Sequence, residues 1–277
     1  MSLIVAIRCT DGVVVGSDSA ATFGSMGQAT IRQTARKIAI LDGSIICAVA
    51  GAAGLSQQFS GCLSDLWQNE NFRKSKRHDM MSCISINFQL CAKPLITAAA
   101  AAKPLFGRAT WGSAVAPAIV AIPHADGPTL FWFDEICAPE EVTDDLPFVS
   151  IGSGRSIADP FLALIKRVVW KNEMPTLPLG IFSAAWTLNH AIETNPGGVA
   201  GPIDIRTLTM LEGEPIVDEI DSAQMDTYLT HVSSAEERVA TIRDLLMEAE
   251  TAGDPGTAPI PMPASDPDED SDRQSEK

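Results

Sequence analysis

Ser2 is the residue whose type and position best suit it to chemistry. A serine hydroxyl is a poor nucleophile at neutral pH unless a base accepts its proton. Serine is small enough to allow routine removal of Met1, which would leave Ser2 with a free α-amine. An α-amine has a reference pKa of about 7.7–8.0, close to the working pH of a general base. Ser2 would then carry both the nucleophile and the base, and the chemistry would need no histidine.

The sequence lacks the spacings of other catalytic and metal-binding motifs. Residues 150–154, Ser-Ile-Gly-Ser-Gly, do not form the Gly-x-Ser-x-Gly of a nucleophile elbow and lack the Gly-Lys-Ser/Thr of a phosphate-binding loop. No ligand spacing joins the histidines and cysteines, which are His78, His124, His190, His231, Cys9, Cys47, Cys62, Cys83, Cys91 and Cys137. We therefore expect no metal and no cofactor.

The charge balance excludes several classes of partner. The 277 residues include 20 basic and 35 acidic side chains, which gives a formal charge of −15. Nucleic acid and anionic lipid both require a basic surface, so we expect the protein to bind neither nucleic acid nor a membrane. The cysteines have apolar neighbours and no paired spacing, which indicates reduced, buried thiols in a cytoplasmic protein.

The C-terminal segment differs in composition from the rest of the chain. Residues 251–277 contain seven acidic residues, two basic residues and five prolines. Such a segment cannot bury enough apolar surface to offset the entropy lost on ordering. The sequence therefore predicts a folded domain over residues 2–250 and a disordered, acidic, proline-rich tail over residues 251–277.

Short apolar runs separated by turn residues predict strands in the first fifty residues. Leu3 to Arg8 and Val13 to Gly16 are two such runs, joined by a turn. Asp42-Gly43 between two further apolar runs indicates a hairpin. The small polar residues from Ser25 to Thr34 predict a loop between the two pairs of strands.

Helices and strands are grouped in the remainder of the chain. Apolar residues at helical spacing predict helices over residues 52–69 and 80–105. Asp159 before Pro160 predicts the start of a later helix, and Ser234-Ala235-Glu236-Glu237 predicts a capping box at the start of the last helix. The grouping favours an α+β fold in which antiparallel sheets lie between helix layers, rather than a doubly wound parallel sheet.

An ordered set of short segments carries a family resemblance over roughly residues 2 to 220. The set consists of Ser2–Arg8, Asp11–Asp18, Ala21-Thr22, Lys37–Ile40, Cys47–Gly51 and Ile151–Gly154. In this order the segments resemble bacterial proteasome β-type subunits, the branch that includes the HslV protease and Anbu. The resemblance implies the four-layer αββα sandwich of the N-terminal nucleophile hydrolases.

The resemblance also implies a role for individual residues. Ser2 occupies the position of the family's nucleophile, which is usually threonine. Lys37 is expected beside Ser2, with Asp18 holding Lys37, and Ser153 is expected to supply a supporting hydroxyl. The backbone N–H of Ala48 is the expected oxyanion donor, and Glu193 is a weaker candidate for a further site residue.

The implied function is that of a self-compartmentalising, threonine-type endopeptidase that uses an N-terminal serine. The implied assembly is a homo-oligomer of two stacked rings of six or seven subunits, with helices on either side of residues 73–78 in the ring-to-ring contact. Unfolded polypeptide is the implied substrate, and an ATPase unfoldase is a possible partner. Two alternatives remain open: a ring-forming subunit with a degenerate site, and a stand-alone N-terminal nucleophile amidase.

Overall fold

Strands and helices occur in groups in the structure, a computed structural model that describes residues 2–25, 28–106, 114–194 and 198–251. Its strands are β1 (Leu3–Arg8), β2 (Val13–Ser17), β3 (Ala20–Ser25), β4 (Gln28–Thr34), β5 (Ile38–Leu41), β6 (Ile45–Val49), β7 (Ala118–Ile122), β8 (Thr129–Phe133), β9 (Pro139–Glu141), β10 (Phe148–Gly152), β11 (Asp204–Leu211) and β12 (Glu214–Glu219). Its helices are α1 (Ala53–Gln68), α2 (Glu70–Arg73), α3 (Arg77–Phe106), α4 (Arg155–Val168), α5 (Leu177–Thr194) and α6 (Ser222–Thr251).

Two antiparallel five-stranded sheets form the centre of the fold. The first sheet has the order β10-β1-β2-β11-β12 and the second has the order β5-β6-β7-β8-β9. Three buried apolar clusters fill the spaces between the layers: one between the sheets, one between the first sheet and α4 and α5, and one between the second sheet and α1 and α3. This arrangement is the predicted αββα sandwich, and the predicted fold class is confirmed.

The sequence of β1 explains why both faces of the first sheet are covered. Side chains of a strand point alternately to opposite faces. Leu3 and Val5 pack in the cluster that contains α4 and α5, whereas Ile4 and Ala6 pack between the two sheets. Strand β1 therefore requires an uninterrupted apolar run. The first residue of that run follows Ser2 directly.

Helix α3 covers the second sheet with one apolar face. Met80, Ile84 and Phe88 are spaced four residues apart and are fully buried. The Phe88 ring stacks on Phe59 of α1 with a centroid distance of 4.1 Å. By length and composition alone, residues 77–104 would also suffice to cross a membrane. The buried stripe at helical spacing is the pattern of a core helix packed on a sheet.

The loop predicted from Ser25 to Thr34 is wrong. Residues in this segment form β4, which pairs with β3 in a separate two-stranded sheet, with Ala20 opposite Thr34. Pairing of this kind depends on backbone hydrogen bonds, and the sequence has no apolar alternation here to signal it.

The predicted start of the fourth helix is also wrong. Helix α4 begins at Arg155, and Pro160 lies inside it. The Asp159 side chain does not cap the helix; it accepts hydrogen bonds from Ser150 Oγ and, at 2.7 Å, from Arg155 Nε. Those two partners explain why an apparent capping residue occurs within a helix.

The capping box predicted at Ser234 is wrong, because α6 begins twelve residues earlier, at Ser222. The side chains of Asp221 and Gln224 form the reciprocal pair that a capping box requires. Asp221 Oδ1 accepts from the Gln224 N–H at 2.8 Å, and Gln224 Oε1 accepts from the Asp221 N–H at 3.0 Å. The spacing Asp-x-x-Gln was present in the sequence and would have located this helix start.

The chain divides into two compact units, residues 1–232 and residues 233–277. The first unit contains both sheets and helices α1 to α5. The second contains the C-terminal part of α6. The predicted tail lies outside the described residues except for Thr251.

Candidate active site

Ser2 lies directly before β1, at one end of the strands of the first sheet. Its backbone N–H donates to Ser153 Oγ at 3.2 Å, and its carbonyl oxygen accepts from the Gly154 N–H at 3.3 Å. The pairing of β1 with β10 sets this contact, because it places Leu3 opposite Gly152. Gly152 has a φ of +96°, and a Cβ there would lie 2.2 Å from the Ser2 carbonyl oxygen. The turn after β10 therefore needs glycine in order to hold Ser2.

Asp18 is the centre of the polar network next to Ser2. It follows β2 directly and is completely buried. Its Oδ1 accepts from the Leu3 N–H at 2.8 Å and forms an ion pair with Lys37 Nζ. Its Oδ2 accepts from the N–H groups of Ala20 at 3.0 Å and Ala200 at 3.3 Å. A carboxylate with several charge-assisted partners is fixed in position.

Lys37 reaches this carboxylate from the second sheet. It lies immediately before β5, and its side chain is only 7% exposed. Since Lys37 Nζ and the Leu3 N–H share one oxygen of Asp18, the ammonium lies close to the residue that follows Ser2. The structure thus brings Ser2, Asp18, Lys37 and Ser153 together. In the sequence these four residues lie on four separate segments.

Ala48 lies within β6, between Ile38 of β5 and Ile119 of β7. Farther along the same strand, the Ala50 N–H donates to the Pro117 carbonyl oxygen at 3.0 Å, on the β7 side. Alternate residues of a strand direct their N–H groups to the same neighbour. The N–H of Ala48 is therefore directed towards β7, and that of Val49 towards the β5 side, where Lys37 lies.

Glu193 lies apart from the network. It is exposed near the end of α5, and its Oε1 accepts from Asn189 Nδ2 at 3.0 Å. Among the described residues, no hydrogen bond or ion pair joins it to Ser2 or Asp18. A nearby backbone segment of the same chain supplies a partner in its place. The Ala200 N–H donates to Asp18, and the Ala200 carbonyl oxygen accepts from the Ser19 N–H at 2.9 Å. Sequence reasoning missed Ala200, since a backbone partner leaves no signal in residue type.

A cavity of about 420 Å³ opens beside the network, between the β3–β4 hairpin and the N-terminal part of α6. Arg36 and Arg206 line it together with Asp204 and Glu219. Arg206 forms ion pairs with Asp204 at 2.6 Å and Glu219 at 2.9 Å. Burial raises the pKa of Asp204, Glu219 raises it further, and the cations Arg206 and Arg36 act in the opposite direction. Arg36, which directly precedes Lys37 in the sequence, therefore belongs to this second charged cluster.

Three of the cysteines are poor candidates for a rival nucleophile. Burial raises the pKa of the thiols of Cys9, Cys47 and Cys62 to about 12, so the reactive thiolate is disfavoured in each. All six cysteines are free thiols. Within the described ranges, no group of three or more His, Cys, Asp or Glu side chains could hold a metal ion.

Comparisons with known proteins identify the family and the fold. A family model described as proteasome subunit matches residues 2–168. Anbu (ancestral beta-subunit) from Yersinia bercovieri is 16% identical with a TM-score of 0.63, and the match covers 87% of this chain and 97% of that one. A structure of the helical assembly of the Anbu complex from Pseudomonas aeruginosa is 18% identical with a TM-score of 0.60, over 95% and 99% of the two chains. The search of curated proteins found no match.

Proposed function

The chain belongs to the proteasome subunit family as a bacterial β-type subunit, and from this membership we propose that it is a peptidase whose nucleophile is Ser2. The nucleophile becomes available when Met1 is removed. The observation that carries the proposal is the buried Asp18 carboxylate, which binds both Lys37 Nζ and the backbone N–H that follows Ser2. A buried ion pair contributes little net stability because desolvation offsets its attraction, so its place beside Ser2 supports a role in positioning the site.

The α-amine of Ser2 acts as the general base in this mechanism. The hydroxyl oxygen attacks the carbonyl carbon of the scissile peptide bond, and its proton passes to the amine. The nearby Lys37 ammonium favours the neutral amine, because two adjacent positive charges repel each other. Ser153 Oγ, 3.2 Å from the Ser2 nitrogen, orients that amine.

The register of β6 argues against Ala48 as the oxyanion donor. An oxyanion forms on the side of the strand that faces Ser2 and Lys37, whereas the Ala48 N–H is directed at β7. The Val49 N–H faces the β5 side, but the pairing of Ile38 with Ala48 commits it to the Lys37 carbonyl oxygen. A backbone donor needs no particular side chain, so the proposal moves the role to a backbone N–H beyond the paired part of β6.

The reaction proceeds through an acyl-enzyme. The Ser2 ammonium returns its proton to the departing amine as the peptide C–N bond breaks, and the acyl group remains on Ser2 Oγ. Water then attacks the ester, with the same amine accepting the water proton, and the serine is regenerated. No step requires a metal or a cofactor.

The assembly and the substrate are part of the same proposal. The solved relative from Pseudomonas aeruginosa is a helical assembly, which supports a homo-oligomer. We also propose stacked double rings of six or seven subunits, a substrate of unfolded polypeptide, an ATPase unfoldase as partner and a cytoplasmic location, each of which the family resemblance suggests. The α3 surface that includes Ile86 and Leu90, both exposed, supports the predicted contact between rings.

Substitution at Ser2 tests the proposal. We expect Ser2→Ala to abolish peptide hydrolysis with the assembly intact and Ser2→Thr to retain it, because threonine supplies the same hydroxyl and amine. Labelling with an epoxyketone, which traps N-terminal hydroxyl nucleophiles, should modify the N-terminal peptide of the wild type and of Ser2→Thr but not that of Ser2→Ala. Hydrolysis by the Ser2→Ala protein would overturn the proposal.

The mass of the intact protein separates the alternatives. Loss of Met1 is required for the amine to act, and a retained Met1 would leave the ring subunit with a degenerate site. A clean monomer that still hydrolyses small amides would favour the stand-alone amidase.

A further inference from the structure

The turn between β10 and α4, residues 152–154, packs directly against the chain at Ser2. Ser153 Oγ accepts from the Ser2 nitrogen at 3.2 Å, and the Gly154 N–H donates to the Ser2 carbonyl oxygen at 3.3 Å. A Cβ at Gly154 would lie only 2.9 Å from the Cβ of Leu3, so the turn and the start of β1 are in close contact. The position of the Ser2 nitrogen therefore depends on how firmly this turn is held.

The first turn of α4, which continues from residue 154, has few stabilising features of its own. Its N-cap residue is Gly154, which has no side chain to accept from the free N–H groups at the helix start. The first turn contains no acidic residue that would interact favourably with the helix dipole. Pro160 has no N–H to donate to the Ser156 carbonyl oxygen, so the helix also lacks a backbone hydrogen bond there. Uncapped helix ends fray, so this start needs support from elsewhere.

Asp159 supplies that support with a single carboxylate. Its Oδ2 accepts from Nε of Arg155, the first residue of α4, at 2.7 Å. Its Oδ1 accepts from Oγ of Ser150, which lies in β10 and is only 1% exposed. The two partners lie on either side of the turn that contains Ser153. The carboxylate therefore fixes both ends of that turn at once.

Arg155 extends the connection to the second sheet. Its guanidinium carbon lies 5.6 Å from the centre of the Trp132 ring in β8, within the range of a cation–π contact. Since Asp159 binds Nε of the same guanidinium, the group is held both at its edge and over its face. The start of α4 is thereby joined to β10 of the first sheet and to β8 of the second.

Stability alone does not explain this ion pair. The side chains of Arg155 and Asp159 are 49% and 35% exposed. Ion pairs with this much exposure contribute little to the free energy of unfolding, because water weakens the attraction and ordering two side chains costs entropy. Its location around the turn that holds the Ser2 nitrogen favours a role in positioning.

We propose that Asp159 is a positioning residue for the Ser2 amine. Its carboxylate holds Ser150 and Arg155, the turn between them keeps one conformation, and Ser153 Oγ stays within hydrogen-bond distance of the Ser2 nitrogen. Asp159 acts through Ser153 and not on the reacting atoms. The effect on hydrolysis rests on the proposed function, whereas the effect on the turn does not.

Hydrogen exchange of the full-length protein tests the turn without reference to activity. The N–H groups of Gly154, Ile157 and Ala158 are hydrogen-bonded at the turn and the helix start, so peptides that cover residues 151–158 report on both. Asp159→Ala should speed amide exchange in these peptides, because the turn then opens locally. Wild-type exchange there would overturn the proposal. Faster exchange throughout the molecule with a lowered melting temperature would also overturn it, since that result indicates a general structural role.

Asp144→Ala is the matched control for this experiment. Asp144 also accepts from an arginine Nε at 2.7 Å, but its partner is Arg8, at the opposite end of β1 from Ser2. Both variants therefore remove one carboxylate from one arginine of comparable geometry. The control should exchange at the wild-type rate over residues 151–158. Equal acceleration in both variants would overturn the proposal, because any lost ion pair would then have the same effect.

A double-mutant cycle with Ser153 tests how Asp159 acts on hydrolysis. Misplacement of a reacting group by about 1 Å can cost about 10²-fold in rate, so Asp159→Ala should lower kcat by about 10-fold to 10²-fold with KM nearly unchanged. In a Ser153→Ala background the same change should cost less than about 2-fold, because the hydroxyl that it positions is already absent. Asp159→Asn keeps an acceptor for Ser150 and should retain more activity than Asp159→Ala. Losses that multiply in the double variant would overturn the action through Ser153.

The two experiments separate failure of this inference from failure of the proposed function. A wild type without peptidase activity, in which Asp159→Ala still opens the turn selectively, would contradict the proposed function and support the positioning of the Ser2 amine. An active wild type whose turn and kcat are both unaffected by Asp159→Ala would do the reverse.

Discussion

Two buried charged clusters lie at neighbouring strands of the first sheet and differ in how fully their polar atoms are satisfied. Asp18, after β2, has an ion pair with Lys37 and hydrogen bonds from three backbone N–H groups. Arg206, on β11, has ion pairs with Asp204 and Glu219. Within the described part of the chain, however, Arg206 Nε has no hydrogen-bond partner although it is buried.

This difference in hydrogen bonding indicates which charged cluster the candidate active site depends on. Breaking a fully satisfied buried pair leaves several groups without partners, whereas replacing a partly satisfied pair with neutral residues is often close to neutral. The Asp18 carboxylate joins the starts of β1 and β3, residue 200 and Lys37, so one side chain holds four segments. We expect the Asp18–Lys37 pair to govern both stability and activity, and the Arg206 cluster to govern neither strongly.

Asp18→Ala should have the largest effect. The change leaves the Lys37 ammonium buried without its carboxylate and removes the acceptor of three backbone N–H groups, so the free energy of unfolding should fall by about 3–5 kcal/mol. Peptide hydrolysis should be lost with it. Urea denaturation and a peptide assay on the same preparation measure both effects. An Asp18→Ala protein as stable as the wild type would show that the Asp18 network is not structurally important.

Lys37→Ala should reduce the rate of hydrolysis strongly and the free energy of unfolding only moderately. Asp18 keeps its three backbone donors, so the loss in free energy of unfolding should be smaller, about 1–3 kcal/mol. Hydrolysis should fall by about 10²-fold or more, because the Ser2 amine would remain protonated. Activity assayed at rising pH should recover in part, since the amine then loses its proton without help. A flat pH response would contradict the proposed role of Lys37.

The double change Asp204→Asn with Arg206→Met should have a small effect by comparison. It replaces a partly satisfied ion pair with neutral side chains of similar size, so we expect the free energy of unfolding to change by about 1 kcal/mol or less. Hydrolysis should remain at the wild-type level. The matched double change Asp18→Asn with Lys37→Met should abolish hydrolysis. Equal losses in the two double variants would remove the distinction between the clusters.

Asp204→Asn alone should show the smallest effect, and that effect should depend on pH. Burial raises the pKa of Asp204, so the folded state holds this proton more tightly than the unfolded state. Acidification from neutral pH through the raised pKa therefore stabilises the wild type relative to Asp204→Asn. Urea denaturation of both proteins across the acidic range measures the difference. A wild type that loses stability relative to the variant on acidification would contradict the raised pKa.

Much of the site could be predicted from the family resemblance of short segments in the sequence. Ser2, Asp18 and Lys37 each occur at the boundary of an apolar strand, and strand boundaries are visible in the sequence as changes of pattern. The roles of Asp18 and Lys37 came from the resemblance alone, and the ion pair between them agrees with those roles. The αββα layering was also accessible, because the grouping of strands and helices restricts the ways in which apolar faces can be covered.

Other features could not be predicted because they depend on register. Whether the N–H of Ala48 is directed at β7 or at β5 changes with a shift of a single residue, and sequence patterns locate strands less finely than that. The start of α6 is a different case, because the capping pair Asp221 and Gln224 was visible in the sequence but competed with a similar motif at Ser234 inside the same helix. The structure shows that α6 begins at Ser222.

The sequence by itself determined the grouping of the strands and helices and the chemistry available at Ser2, because each is a periodic or local property of the chain. The tertiary structure decided which distant groups meet. The Ser2 nitrogen contacts Ser153, 151 residues away, and Asp18 contacts Ala200, 182 residues away. Contacts of this kind follow from strand pairing and layer packing, which act through space and leave no periodic signal in the sequence.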